Sequence, residues 1–447
     1  MGIMKSLSVK IILIYCCFFT MSLVAQEIQQ ARINKVSEKL FFHAQQLYRQ
    51  MEYWNCAREL SILLDFNPNY SRMDHALLML GNCLYEVNLH EGAERIYKFL
   101  LRKYVKSALL PEAILGIERI QYDQGNYRAC IEYFRILQRS NPNQRIMNFA
   151  SYYAGLAFYN LGDFPACNRT LELGDSNSPY YEHALYTRGV SLLQMKNIEH
   201  ALEILRLLSE LPPTSDERRN IVDETHLTLG YVYYEMDYFK DALTNFKAVS
   251  ASSNRYPDAL LAAGWTEANR KNWSEAASIL TVLYKHYKDS PLVSEALFLL
   301  GRCYLKEGKY DNAIEIYEYL IQHHQHSQSV AERDALQMEL VSEKKRIRER
   351  KMELLSLESK LVKSIYNQSG DSAYSPLDHR NDNMSSTHYE LFRDIERERK
   401  EMDRLEQEIK KLEQKNQPLR SEHNWIAYAE YGVTRAKFLK RQMLRHQ

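Results

Sequence analysis

Residues 264–276 read GWTEANRKNWSEA and residues 301–313 read GRCYLKEGKYDNA. Each stretch opens on a glycine, crosses a polar turn and closes on an alanine twelve positions later. The same pairing recurs as Gly81 with Ala93, Gly155 with Cys167, Gly189 with Ala201, Gly230 with Ala242, Gly264 with Ala276 and Gly301 with Ala313. Gln45 with Ala57 and Ile117 with Ala129 complete the series as degenerate copies. Recurrence in register at about this period is the mark of a repeat array.

The spacing has a direct physical meaning. Each unit reads as two antiparallel helices, A and B, with the small residue of A and the alanine of B where the two backbones come closest. A large apolar residue follows three positions after the first (Leu84, Phe158, Leu192, Tyr233, Tyr304) and four after the second (Tyr97, Tyr133, Leu171, Leu205, Phe246, Leu280, Tyr317). Offsets of three and four gather bulky groups on one helical face. Turn residues separate A from B, as in Gly125-Asn126, Gly162-Asp163, Lys271-Asn272 and Gly308-Lys309. Pro closes several units at Pro68, Pro142, Pro212-Pro213, Pro257 and Pro291. The stretch from Leu211 to Arg219 lengthens one step and reads as an enlarged loop.

These residues resemble the tetratricopeptide repeat family, whose pattern is a small residue, eleven intervening positions and alanine, with flanking large apolar residues and a late proline. The resemblance covers residues 38–327. It implies an all-α, right-handed superhelical solenoid of about eight helix-turn-helix repeats, with a concave face built mainly from the A helices that binds a protein or peptide segment. The positions that would line this groove carry Tyr85, Tyr122, Tyr152, Tyr159, Tyr186, Tyr231, Tyr234, Trp265, Phe298 and Arg302. Aromatic residues with polar tips suit protein recognition, because they offer large contact area with little rotamer entropy to lose. Packing between adjacent repeats is the competing role for each of them.

Beyond residue 327 the composition shifts to Glu, Lys, Arg and Leu. Leu340, Ile347, Leu354 and Leu361 recur every seven residues, with Leu336 and Leu357 beside them; Ile395, Met402 and Ile409 do the same, with Leu391, Leu405 and Leu412. Two heptad segments around a polar stretch at 367–387 predict an antiparallel coiled-coil hairpin over 331–418. Glu343, Arg350 and Glu398 fall at core-type positions of that seam. Residues 420–447, with Trp425, Tyr428 and Ala429 repeating the opening of an A helix, are expected to cap the last repeat. Lys437, Lys440, Arg441 and Arg445 are expected on its solvated face.

Residues 1–25 read as a signal peptide. Lys5 and Lys10 precede an apolar run from Ile11 to Val24, too short to span a bilayer comfortably, and cleavage is expected after Ala25. A secreted, periplasmic location, with association to the outer membrane, is the expectation. Repeats plus a coiled coil look similar to periplasmic tetratricopeptide proteins of the bacterial envelope. The 58 basic and 57 acidic residues nearly cancel, which disfavours a nucleic-acid partner. The membrane is expected to be at most a peripheral partner.

Motifs for catalysis are absent: there is no GxGxxG, GxxxxGK[ST], GxSxG or HExxH. In His90-Glu91-Gly92-Ala93-Glu94 the second histidine of a metal helix is replaced by Glu94. His323, His324 and His326 form the one histidine cluster, and they read as a solvated helix end. Cys56, Cys83, Cys130, Cys167 and Cys303 have wide spacings without CxxC, and read as small buried hydrophobes. A non-catalytic scaffold without metal or cofactor is therefore expected, the alternative being a structural protein that self-assembles through its heptads.

Overall fold

A left-handed residue closes the A helix of every repeat. Met51, Asn88, Gly125, Gly162, Lys196, Asp237, Lys271 and Gly308 adopt φ between 60° and 78°. The next backbone N–H reaches back five residues in each case, as Leu89 N to Leu84 O at 2.8 Å and Lys309 N to Tyr304 O at 2.9 Å. This is the Schellman closure, which satisfies helix-end carbonyls and reverses the chain. Three of the eight residues are glycine; the other five accept a conformation that costs an L-residue about 1 kcal/mol.

The computed structural model describes residues 29–323, 330–369, 386–415 and 425–445, and these are helical with short connections. The expected signal peptide at residues 1–25, the polar stretch from 370 to 385, His324 and His326 lie outside the described residues. Eight helix pairs run in order: α1 (29–49) with α2 (Tyr53–Phe66), α3 (Met73–Glu86) with α4 (His90–Lys103), α5 (Leu110–Asp123) with α6 (Tyr127–Arg139), and α7 (Gln144–Asn160) with α8 (Phe164–Leu171). Then come α9 (Tyr181–Gln194) with α10 (Ile198–Ser209), α11 (Asp216–Glu235) with α12 (Phe239–Ala248), α13 (Tyr256–Asn269) with α14 (Trp273–His286), and α15 (Val293–Lys306) with α16 (Tyr310–His323). Helices α17 (Val330–Ser369), α18 (Ser386–Lys415) and α19 (Trp425–Arg445) follow. The chain forms two compact units, one of residues 1–146 with 338–413, the other of 147–337 with 414–447.

Five residues after each left-handed turn lies the packing residue of helix B: Cys56, Ala93, Cys130, Cys167, Ala201, Ala242, Ala276 and Ala313, all fully buried. Two expectations are corrected by this register. Ala129 is only half-buried, and Cys130 takes its place; in the first repeat the pair is Ala44 with Cys56, whose Sγ lies 3.2 Å from Ala44 O, rather than Gln45 with Ala57. Tyr133 likewise gives way to the buried Phe134. The small position of repeat 3 is then held by Glu118, fully buried on α5, and not by Ile117.

The glycines act through the residue sixteen positions on rather than through the alanine itself. A Cβ on Gly189 would lie 2.8 Å from Leu205 Cδ2, one on Gly264 would lie 2.6 Å from Leu280, and one on Gly301 would lie 2.5 Å from Tyr317. Gly81 meets Tyr97, Gly155 meets Leu171 and Gly230 meets Phe246 in the same way. Tyr97 is closed from its other side by Gly116, and Tyr317 by Gly432 of α19. Ala429, Gly432 and Ala436 are buried, so α19 covers the final pair as a further A helix would. Lys437 pairs with Glu318 at 3.0 Å and Lys440 with Asp311, so these lysines tie α19 to α16 rather than only facing solvent.

Of the stretch expected as an enlarged loop, residues 211–215 are non-helical but 216–219 are helix, so the extra length lies in α11. Ser215 accepts a hydrogen bond from Arg218 N at 3.1 Å, and Asp216 and Glu217 fill the first turn, so α11 starts early and runs for 20 residues. An N-cap serine and acidic first turn favour that start.

In the first unit α17 and α18 run antiparallel, with Lys344 on Glu413 at 2.5 Å, Lys351 on Glu406 at 2.8 Å, and Arg350 on Glu398 at 2.6 Å. Leu340, Ile347, Leu354, Leu361, Ile395, Met402 and Ile409 are buried. Leu357, Leu391 and Leu405 are exposed, and Leu355 is buried. Arg350 and Glu398 pair at the half-exposed edge, while Lys351 is the buried cation, held by Asp403 and Glu406.

Helix α17 crosses the B helices of repeats 1 and 2. Trp54 Nε1 donates to Glu358 at 2.6 Å, Arg58 donates to the other oxygen at 2.9 Å, and Arg58 also binds Glu59. Lys363 pairs with Asp65 at 3.4 Å, and Met352 packs on Gly92. Breaking a buried pair costs about 3–5 kcal/mol because a charge is stranded. Glu358→Ala should therefore release α17–α18 to protease attack while α9–α16 stay protected; equal protection of the hairpin in wild type and variant would refute its anchoring role. Gly264→Val should cost about 2–3 kcal/mol by overpacking against Leu280, read as a lowered denaturation midpoint. Leu280→Ala in the same chain should recover part of that loss.

Candidate functional site

All ten predicted groove residues fall on A helices: Tyr85 on α3, Tyr122 on α5, Tyr152 and Tyr159 on α7, Tyr186 on α9, Tyr231 and Tyr234 on α11, Trp265 on α13, and Phe298 and Arg302 on α15. The aromatic residues are partly exposed and Arg302 is exposed. Their positions follow from the glycine register, one, four or minus three residues from the small position.

Several of these side chains join one A helix to the next. In the first unit the Tyr85 hydroxyl donates to Asp123 on α5 at 2.5 Å, and the Arg119 guanidinium lies 4.2 Å from the Tyr85 ring. In the second unit Tyr186 meets Thr228 on α11 at 3.0 Å, and Asn269 on α13 donates to Tyr234. Trp265 Nε1 donates to Glu295 on α15 at 2.8 Å, and the Phe298 ring lies 5.6 Å from Tyr428 on α19. Sequence reasoning missed Thr228 and Glu295 as partners of these side chains. The signal available was a separation of 30 to 42 residues, about one repeat, between bonded residues on successive A helices. Tyr152 differs by stacking on Tyr180, centroids 4.4 Å apart, and Tyr159 sits edge-on to Phe164. Tyr122 lies 5.7 Å from Tyr127, and Tyr231 sits edge-on to Phe246 while remaining 39% exposed.

The face is electrically quiet. Burial pushes the Tyr85, Tyr186 and Tyr234 hydroxyls above the ordinary phenol value, with Asp123 adding to the first and hydrogen bonds from Thr228 and Asn269 opposing the others. These rings stay neutral donors at physiological pH. Glu224 is also raised by burial, against the pull of Arg255 at 3.0 Å. No group of three or more His, Cys, Asp or Glu able to hold a metal is found among the described residues. His323 stacks on Tyr319 with centroids 4.0 Å apart. Among the described residues Cys56, Cys83, Cys130, Cys167 and Cys303 are free and buried, and burial raises Cys303 to about 12 and Cys167 to about 11. Among the described residues no helix is long and apolar enough to cross a membrane.

Helix pairs joined this way, each closed by the same turn and packed on the same small residue, define an all-helical tetratricopeptide-type solenoid. The tetratricopeptide repeat model matches residues 258–290 and 295–327, so the chain carries tetratricopeptide repeats at α13–α14 and α15–α16. Over 119 residues it is 28% identical to superkiller protein 3 of Schizosaccharomyces pombe, which is 26% of this chain and 8% of that protein. Among solved structures it is similar to a tetratricopeptide repeat protein from Parabacteroides merdae, at 14% identity and a TM-score of 0.39 over 55% of this chain and 91% of that one. It is also similar to the apo form of the quorum sensor NprR from B. thuringiensis, at 11% identity and a TM-score of 0.41 over 67% and 99%. Such a fold is suited to a protein–protein interaction scaffold.

Glu118 lacks the ion pairs that hold the buried Arg58 and Lys351. Both its oxygens are buried without a hydrogen-bond partner, and desolvation holds its carboxyl well above the usual range. At low pH the group is protonated in folded and unfolded chains alike. As pH rises through the ordinary carboxylate range the unfolded chain releases a proton that the folded chain keeps, so stability falls. Glu118→Gln should flatten this fall as pH rises above the ordinary carboxylate range, in urea titrations followed at α5–α6; an unchanged slope would show that Glu118 is not the titrating group.

Proposed function

We propose that the protein is a non-catalytic scaffold of the bacterial cell envelope, exported by residues 1–25, that holds a protein or peptide segment against its A-helix face. The observation that carries this reading is the row of partly exposed aromatic residues on A helices, of which Tyr85, Tyr186, Tyr234 and Trp265 are fixed in place by bonds to the next A helix. A surface ordered in advance loses little entropy on binding. Tyrosine and tryptophan give it apolar area with neutral polar tips. Export is supported by Lys5, Lys10 and the apolar run that follows.

Self-assembly through the heptads has less support. Ile347, Leu354, Ile395 and Met402 are already buried within one chain, so the seam is in use. An oligomer would need another surface.

Trp265 is bonded to Glu295 and its loss would disturb the array, so the cleaner probes are the more exposed Tyr231 and Arg302. The protein recovered from the envelope fraction should begin at Gln26 by mass spectrometry. Tyr231→Ala with Arg302→Glu should reduce crosslinking to its native partner about tenfold, near 1.4 kcal/mol, at unchanged melting temperature. A cytoplasmic, full-length product would overturn export; undiminished crosslinking would overturn the assignment of the face.

A further inference from the structure

Two thiols meet at the junction of repeats 1 and 2. Cys56 is the packing residue of α2, and Cys83 lies on α3 two positions after Gly81. Both are fully buried free cysteines. Cys56 Sγ lies 3.2 Å from Ala44 O, and the Cys83 thiol is in hydrogen-bond contact with Cys56. The register of the solenoid brings the same two positions together at a later junction. Ser191, two after Gly189 on α9, is fully buried, donates to Phe164 O on α8 at 3.2 Å and hydrogen-bonds to the Cys167 thiol. There one thiol meets a hydroxyl; at the first junction cysteine fills both places.

We propose that Cys56 and Cys83 are a redox pair that closes to a disulfide between the B helix of repeat 1 and the A helix of repeat 2. The bridge is separate from the A-helix binding face. Closure is thiol–disulfide exchange with a small-molecule disulfide of the glutathione type. One cysteine thiolate attacks that disulfide, its S–S bond breaks, and a mixed disulfide forms as the first small thiol leaves. The second thiolate attacks the protein sulfur of the mixed disulfide, the Sγ–Sγ bond forms, and the second small thiol leaves. The two cysteines lose two electrons, the oxidant gains them, and the two thiol protons end on the released thiols.

Burial sets the timing. The hydrogen bond with Cys56 and desolvation hold the Cys83 thiol far above the usual thiol range, so once folded it supplies no thiolate. Exchange therefore belongs to folding, before α2 and α3 close on each other, and the finished bridge is screened from reductants. It ties α2, whose Trp54 and Arg58 flank Cys56 and hold Glu358 of α17, to the next repeat. Export by residues 1–25 would bring the chain to a compartment in which such bridges persist, but the chemistry needs only the oxidant.

The full-length chain, reduced and unfolded in urea, is refolded against oxidised and reduced glutathione, blocked with iodoacetamide and mapped by peptide mass. A Cys56–Cys83 crosslinked peptide is expected as the main product, with Cys130, Cys167 and Cys303 blocked as thiols. The bridge should resist dithiothreitol in the folded chain and yield to it in urea. Closing a loop of this length should raise the folded-to-unfolded ratio about a hundredfold, seen as a higher urea midpoint after oxidising than after reducing refolding. Cys83→Ala should abolish that difference. Refolding does not depend on export, so its result stands apart from the fate of residues 1–25. Cys56 and Cys83 recovered as blocked thiols, as glutathione adducts or joined to other cysteines would overturn the pair and leave them as small packing residues.

Discussion

The contact between each repeat glycine and the bulky residue sixteen positions later sets the geometry of the whole array. Where Gly189, Gly264 and Gly301 lack a Cβ, Leu205, Leu280 and Tyr317 fill the space and lock helix A to helix B. An interior at crystal-like density has no slack for a methyl group there. The left-handed turn then fixes how far along the chain that contact falls, and the B-helix alanine or cysteine sets how closely the helices approach. Tyr97 and Tyr317 extend the same contact across repeats by meeting a second glycine, Gly116 and Gly432. Nearest-neighbour coupling of this kind makes stability a sum over repeats and interfaces.

The repeats were legible because their physics is local and periodic. Six glycine pairs carried the register, and the helices follow it. The two repeats without glycine were misread by one residue because a search for alanine passes over Cys56 and Cys130, which serve the same small, buried role. Glu118 at a glycine position runs against every compositional rule for that site, so no periodic pattern could announce it. The turn supplies the missing signal: Met51 and Gly125 count off Cys56 and Cys130 correctly once their left-handed conformation is known, but Met51 shows no such preference in its side chain.

The binding face was legible as a set of positions and not as a set of bonds. Its residues follow from the register, whereas the partners Thr228, Asn269 and Glu295 depend on how successive repeats are offset. The docking of α17 was not legible at all. Nothing in a heptad pattern records that Glu358, beside an apolar seam, is reserved for Trp54 and Arg58 some 300 residues earlier. Replacing a whole buried ion pair by apolar residues is often neutral for stability, whereas removing one partner strands a charge and is costly.

That separation along the chain also orders events in time. Trp54 and Arg58 are made 304 and 300 residues before or opposite their carboxylate, an interval of about 15–60 s at ordinary rates of synthesis. Throughout it, repeats 1 and 2 stand with a guanidinium and an indole on an uncovered face, and only the arrival of α17 finishes them. The first repeats to be made are thus among the last to mature, and a chain cut short after repeat 8 would display an open seat that a complete chain conceals.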